Sequence, residues 1–554
     1  MKDKDRRSLL EKPNFLVLLV DEERYPPIYE NPEIKLWRKS NLITQERLRS
    51  HSLEFHRHYI GSSACCPSRA TLFTGQYPSL HGVSQTTGIA KRAFDSDMFW
   101  LDRNTVPTMG DYFREAGYQT YYRGKWHISY EDIVIPGTHN GLASYNPVTG
   151  VPDIPREALY ENADRLDSFG FNGWIGPEPH GRNPRNSGSS AAIGLSGRDE
   201  VYGAEAARLI ETLDRQHHED REAPPWLIVA SFVNPHDIVL YGDVTARLPV
   251  FQFDVEPMPE VAPPPTLDES LATKPRCQAS YRDLYPIALQ PITDQTHYRK
   301  LYYQLQKNAD KQMHRVFEAL TRSSFYDNTI VIFTSDHGDL LGAHGRQFQK
   351  MYSAYEEILH VPLLIYNQHL FPRKDDCQAL TSHMDLLPTM LGLANADVTE
   401  IQDRLRNRFS EVHPFVGRNL APYVRERNPS GIVDEPVYFM TDDDITRGQH
   451  QVSPLGIPYS PVVQPNRIET VITTIQRNDK KELWKYSRYF DNVQPWNPPA
   501  VQDEYELYHL SEDPLEIRNL AYANTTEYTQ SIHQQMIKLL DEQRRRKRLY
   551  PQQR

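Results

Sequence analysis

The densest chemistry in the chain lies in Gly61–Gly75, GSSACCPSRATLFTG, where Cys65, Pro67, Ser68 and Arg69 fall within five residues. Pro67 suits the first position of a helix, where its missing amide hydrogen is no loss. Ser68–Phe73 continues the turn and Gly75 ends it. Cys65 and Cys66 then stand at the helix start, where free amides and the dipole attract an anion. Arg69 adds a planar fork of donors suited to a tetrahedral oxyanion. The stretch reads as a reactive residue facing a phosphate-like or sulfate-like group.

Two apolar runs end in acidic residues: Asn14–Val20 in Asp21-Glu22, and Thr329–Thr334 in Ser335-Asp336-His337. Each run is continuous, as in a strand buried on both faces of a parallel sheet. In such sheets ligands bind beyond the carboxyl ends of the strands. Asp21 and Asp336, with Glu22 and His337 beside them, therefore form a cation site. Oxygen ligands favour Ca²⁺ or Mg²⁺, and the imidazole tilts the choice towards Mn²⁺. A bare thiolate at Cys65 is too soft for that site. The spacing also differs from a cysteine-phosphatase loop, because three residues, not five, separate Cys65 from Arg69.

Further groups have the right chemistry. Lys125 and Lys350 carry charge for sulfate oxygens, and His127 and His236 suit general acid–base work near neutral pH. Lys125 and His127 are two residues apart, which on a strand points both the same way. His344, in GAHGR, is expected to reach the leaving group. Cys66 reads as a small buried residue, and Cys277 and Cys377 as free thiols without a role.

The segment Cys65-Cys66-Pro67-Ser68-Arg69, followed by Leu72, Thr74 and Gly75, resembles the C-x-P-S-R…T-G motif of the type I sulfatases, formylglycine-dependent members of the alkaline phosphatase superfamily. Asp21 matches the family's first metal aspartate, and Glu22 stands where a second aspartate is common. Gly124-Lys125-Trp126-His127, Asn234-Pro235-His236, Asp336-His337-Gly338, Lys350 and His383-Met384-Asp385 match further segments in order. Glu506-Leu507-Tyr508 through Asp513-Pro514 and Asn519-Leu520 resembles the family's ending. The resemblance implies an arylsulfatase-like hydrolase of a small-molecule sulfate ester. Its nucleophile would be a formylglycine (3-oxoalanine) hydrate made from Cys65 by a formylglycine-generating enzyme or equivalent. Asp21, Glu22, Cys65, Asp336 and His337 would hold one divalent metal ion, Ca²⁺ or Mn²⁺, with Mg²⁺ as a third choice. Arg69 would support the nucleophile. Lys125, His236, His344 and Lys350 would bind substrate, His236 or Lys350 would protonate the leaving group, and His127 would release sulfate. The alternatives are a phosphonate monoester hydrolase or phosphodiesterase with the same nucleophile, or an inactive binding homologue.

These residues need a frame. The order of runs predicts an α/β fold with a large, mixed, mostly parallel central sheet flanked by helices, of alkaline phosphatase type. Expected helices cover 44–58, 106–117, 198–216, 294–322 and 384–394, and expected strands 118–122, 226–233 and 361–366. Residues 136–200, rich in Gly, Asn, Pro and Ser, read as a long functional loop that shapes the substrate pocket. Within it, Trp174 either stacks on an aromatic leaving group or anchors the loop, and Pro177-Glu178-Pro179-His180-Gly181 lines the site. Pro-rich loops are expected over 240–293. The catalytic domain would span 1–400. Residues 401–554 would form a smaller α+β part with a short antiparallel sheet and a terminal helix near 526–547.

The chain has 554 residues and a net charge of −11, which argues against nucleic-acid binding. The basic run Arg544–Arg548 reads as a solvated helix end. Phe15–Val20 is too short for a signal-peptide core, and no run reaches membrane-spanning length. Four cysteines in no pattern imply no disulfide framework. A soluble, cytoplasmic protein assembling as a homo-dimer or tetramer, without membrane contact, is expected.

Overall fold

In the computed structural model, residues 12–179, 184–189, 197–251, 253–491, 501–522 and 526–548 are described. Among the described residues thirteen strands follow one another: β1 (Asn14–Asp21), β2 (Ser52–Phe55), β3 (His58–Tyr59), β4 (Gln119–Gly124), β5 (Trp226–Pro235), β6 (Thr329–Ser335), β7 (Leu363–Tyr366), β8 (Asp375–Cys377), β9 (Thr381–Ser382), β10 (Val437–Thr441), β11 (Arg467–Arg477), β12 (Lys480–Phe490) and β13 (Glu504–His509).

The continuous apolar character of β1 has a direct cause. Phe15, Val17 and Leu19 point to one face of the sheet, against Cys66, Ala70 and Phe73. Leu16, Leu18 and Val20 point to the other, against Ile210, Met313 and Phe317. With side chains alternating at period two, only an unbroken apolar run serves both faces. β1 lies third, between β5 and β6, in a seven-stranded sheet of order β4-β5-β1-β6-β7-β2-β8. β4, β5, β1 and β6 run parallel, and β7 runs antiparallel to β6 and β2. The helices Arg198–Glu219 and Gln295–Arg322 cover one face. Cys65–Thr74, Met109–Glu115 and His383–Leu393 cover the other.

β10–β13 form a four-stranded antiparallel sheet. Met440, Trp484 and Leu507 on one face pack against Ile532, Met536 and Leu540 of the helix Glu527–Arg548. Phe439, Ile472 and Tyr508 on the other join Tyr355 and Ile358 of the central unit. Arg544 and Arg548 are not simply solvated. Both pair with Glu469, which is buried in β11.

Three expectations differ from the structure. Residues 44–58 form the helix Ile43–Ser50 and then β2 and β3, because buried Leu53 and Phe55 pair with β7. The long loop 136–200 contains the helix Ile154–Ala163, whose Asp153 carboxylate accepts from the Arg156 amide, with Pro155 in its first turn. The Pro-rich stretch 240–293 contains the helix Arg276–Ala288, which carries Pro286 inside it. Among the described residues no helix is long and apolar enough to cross a membrane.

Candidate active site

Four neighbouring parallel strands end on the same side of the sheet. β1 delivers Asp21 and Glu22, β4 Lys125, β5 His236, and β6 Asp336 and His337. The helix Cys65–Thr74 begins at Cys65, two residues earlier than Pro67 implied, and ends on Gly75 in the left-handed region at φ 64°. Gly124 lets β4 turn at this point. Its φ is +101°, and a Cβ there would lie 1.8 Å from the Ser231 carbonyl oxygen. Lys125 and His127 therefore lie just past the strand, not on it, and His127 is itself left-handed at φ 58°.

The predicted residues meet around Cys65. Its Sγ lies 3.1 Å from His337 Nε2 and 3.8 Å from Asp21 Oδ1. His337 Nε2 is 3.6 Å from both Asp21 Oδ1 and Asp336 Oδ1. Lys125 Nζ pairs with Asp21 Oδ2 at 2.6 Å, and Lys350 Nζ with Glu22 Oε2 at 2.8 Å. His236 Nε2 stands 4.0 Å from that same Glu22 oxygen. Glu22, at φ 75°, donates its own amide to Asp336 Oδ1.

Charge in this cluster follows from burial and neighbours. Burial alone would raise the Asp21 carboxyl, but Lys125, with His236, His337 and Arg69 behind it, holds it well below the usual range. Burial and the Asp21 charge raise Asp336. Burial raises Glu22 well above its ordinary value, against the pull of Lys350. Burial lowers both His236 and His337. Burial, with Asp21 beside it, pushes the Cys65 thiol up to about 12. A thiol so held is protonated, a weak nucleophile and a weak ligand.

The donor set fits a divalent cation. One ligand atom each from Asp21, Cys65, Asp336 and His337 lies within 4.8 Å of the others, and Asp21, Glu22 and His236 form an overlapping group. Glu22 Oε1 is buried with no N–H or O–H donor and with the Asp339 carboxyl beside it, a pair that a shared proton or a cation would satisfy. Carboxylates and an imidazole suit a hard ion, and the sulfur is the one discordant member.

Arg69 is placed differently from the oxyanion fork expected of it. Its Nε donates to the Trp126 carbonyl at 3.0 Å. Nη1 reaches Asp336 Oδ2 at 3.1 Å and Asp21 Oδ2 at 3.4 Å. Nη2 donates to the Lys125 carbonyl, the Tyr122 hydroxyl and Ser231. Every donor nitrogen is occupied and the side chain is fully buried. Arg69 thus ties the two carboxylates to the β4 terminus and does not face a ligand.

His344 does not join the cluster. It is buried, with Nδ1 2.8 Å from Glu269 and Nε2 3.4 Å from Glu357, and its ring stacks on Tyr355 at 3.5 Å. Two carboxylates and an aromatic face explain the position without a leaving group. Trp174 anchors the loop. It is 1% exposed and donates to the Gly124 carbonyl at 3.0 Å. Pro177 and Pro179 line the cavity, whereas His180 and Gly181 lie outside the described residues. All four cysteines are buried and unpaired.

A cavity of about 1270 Å³ opens above the cluster, lined by Cys65, Lys125, His127, His236 and Lys350 among others. Residues that sequence reasoning missed help to shape it. Thr87 Oγ1 lies 2.9 Å from His127 Nε2. Behind that loop, Asp443 accepts from the amides of Thr86 at 3.2 Å and Ala64 at 3.4 Å. Thr441 donates to the Ser63 carbonyl, and the Met440 amide to that of Gly61 at 3.1 Å. The C-terminal part therefore grips the loop that carries Cys65. The signal was present in the sequence: PVYFM followed by Thr441-Asp442-Asp443-Asp444 repeats the pattern of an apolar run ending in acids.

Carboxylates, two lysines and a helix-start cysteine thus converge beyond the strand ends of a mostly parallel sheet. The sulfatase family model matches residues 13–396, and the chain belongs to the sulfatase family. It is 26% identical over 407 residues to the uncharacterized sulfatase YidJ of Escherichia coli, covering 71% of this chain and 70% of that protein. It is also 26% identical over 412 residues to the choline-sulfatase of Rhizobium meliloti, covering 71% and 69%. Among solved structures, a 2-O GAG sulfatase superposes with a TM-score of 0.63 at 20% identity, over 97% of this chain and 93% of that one. The phosphonate monoester hydrolase of Silicibacter pomeroyi gives 0.57 at 17%, over 97% and 96%.

Proposed function

We propose that this sulfatase hydrolyses sulfate monoesters, aryl sulfates among them, after Cys65 is oxidised to formylglycine. The observation that carries the reading is the placement of Cys65 Sγ, 3.1 Å from His337 Nε2 and 3.8 Å from Asp21 Oδ1, in a hard-ligand cluster that a protonated thiol suits poorly. The modified residue would supply an oxygen nucleophile where the thiol stands. Asp21, Asp336, His337 and Oε1 of Glu22 would hold one divalent cation, Ca²⁺ or Mn²⁺ ahead of Mg²⁺, and it would supply positive charge for the sulfate oxygens.

The remaining work falls to side chains of the chain itself. The Lys125 and Lys350 ammonium groups stay protonated in spite of burial, Lys125 chiefly through Asp21, and Lys350 through Glu22 and Asp21. They neutralise the non-bridging oxygens of a bound sulfate, where preorganised charge contributes most. His236 lines the cavity wall with Nε2 beside Glu22, and the Lys350 ammonium, which stays charged there, protonates the departing oxygen. His127, held through Thr87, takes up a proton as sulfate leaves. Arg69 positions the two carboxylates.

The test compares rates on 4-nitrophenyl sulfate, a phosphodiester and a phosphonate monoester, using enzyme coexpressed with a formylglycine-generating enzyme. A preference for the sulfate that vanishes in Cys65→Ala supports the reading. A phosphonate or phosphodiester preference, or full turnover by Cys65→Ala, rejects it.

A further inference from the structure

We propose that the leaving group of the natural substrate is a bulky apolar alcohol or phenol, larger than one ring, received by the outer part of the cavity. This rests on the sulfate-ester reading and adds the chemistry of the other half of the ester. The cavity is continuous from Cys65 and Lys125 outward and measures about 1270 Å³. Ligand pockets generally span roughly 300–1,000 Å³, so a sulfate and one phenyl ring leave much of this one unfilled.

Much of the outer lining is apolar, and that part comes from three separate segments. Phe94 stands on one side, Leu248 and Phe251 on another, and Ile445, Val452 and Leu455 on the C-terminal part. Four of them face solvent strongly: Phe94 is 41% exposed, Leu248 44%, Val452 49% and Leu455 65%. Single exposed apolar residues are ordinary, but a cluster around one mouth marks a surface that an apolar group covers. Here that mouth is continuous with the catalytic cluster, which names the occupant as the ester's own leaving group.

Basic side chains in the outer cavity are mostly engaged elsewhere. Lys91 Nζ donates to the carbonyls of Asp444 and Arg447 at 2.5 Å each. His450 pairs with Asp95 at 3.2 Å. His139 stacks on Phe94 at 3.8 Å. Among the described residues this leaves Arg92 as the remaining basic side chain there. A polyanionic sugar would bring several charges to a wall offering one unengaged cation, whereas an apolar group buries against Phe94, Leu248 and Leu455 directly.

The experiment measures kcat/KM on straight-chain alkyl sulfates from ethyl to octyl, below their micelle concentrations, beside 4-nitrophenyl sulfate and a monosaccharide 6-sulfate. The alkanol leaving groups share one basicity, so chain length reports binding alone. The expected result is a rise of roughly two- to fourfold per methylene, the upper value being full burial. Octyl sulfate should exceed the sugar sulfate at least tenfold. Leu248→Asp and Leu455→Asp lie at exposed positions, and each should reduce octyl sulfate turnover at least five times more than ethyl sulfate turnover, with melting temperature as the control for folding. A flat chain-length profile, or a sugar sulfate preferred over octyl sulfate, overturns the inference while 4-nitrophenyl sulfate turnover upholds the sulfatase reading. Failure on every sulfate ester by enzyme with verified formylglycine overturns both.

Discussion

Replacing His344 by Asn separates two roles for that residue, and the structure gives the size of the effect. The imidazolium is buried between Glu269 and Glu357 and lies on Tyr355, with Lys274 Nζ 2.9 Å from Glu269 on the far side. Burial alone would lower its pKa. Glu357 first, then Glu269, raises it from 6.5 to about 9. That rise corresponds to about 3 kcal/mol of folding free energy. Because the folded-state pKa is the higher one, the stabilisation is complete below pH 6.5 and is lost as pH rises through 9. The matching depression of Glu357 to about 2 reflects the same pair and is not added again. Urea unfolding of wild type and His344→Asn at pH 6 and pH 9.5 reads this out. Wild type should exceed the variant by about 3 kcal/mol at pH 6, and most of that margin should disappear at pH 9.5. Turnover of the folded variant at pH 6 and low temperature should stay within threefold of wild type. Equal stability at both pH values together with a loss of kcat above a hundredfold would refute the structural role and return His344 to the leaving group.

Other perturbations test other parts of the site. Chelation should abolish turnover and lower the melting temperature, and Ca²⁺ or Mn²⁺ should restore both; full activity after verified metal removal would exclude a cation. Glu22→Gln removes the charge facing Lys350 and should weaken cation binding about 10–100-fold by calorimetry. Asp443→Ala leaves the buried amides of Ala64 and Thr86 without their acceptor. It should cost about 2 kcal/mol in urea unfolding and lower kcat more than it raises KM, because it acts on the Cys65 loop and touches no substrate. Ser231→Ala removes one acceptor from Arg69 and should lower cation affinity while leaving KM within twofold, whereas a selective rise in KM would place Arg69 on the substrate.

The sequence is most legible where residue type has a single physical cause. β1, β5 and β6 are legible because a strand covered on both faces has to be apolar throughout. The acids and imidazoles at their ends announce themselves by ending those runs. Where one residue type serves two physical ends, the sequence does not decide. Arg69 offers the same fork to a sulfate or to carbonyls, and only the approach of Trp126, Lys125 and Ser231 shows which acceptors it meets. His344 in a glycine-rich segment resembles a mobile ligand until Glu269 and Glu357 arrive from distant segments. The helices Ile154–Ala163 and Arg276–Ala288 are masked by prolines that, at the first turn or on a tolerant face, do not break them. The contribution of Asp443 is non-local, since it lies 379 positions along the chain from Ala64.

The central claim is that residue 65 acts as an oxygen nucleophile in a hard-ligand site. Mass spectrometry of the peptide spanning Gly61–Gly75, taken from active enzyme with and without a hydrazide reagent, addresses it directly. The expected result is an aldehyde at residue 65 that the reagent traps, in proportion to specific activity across preparations of differing maturation. Full activity in a preparation whose residue 65 is entirely thiol would contradict it.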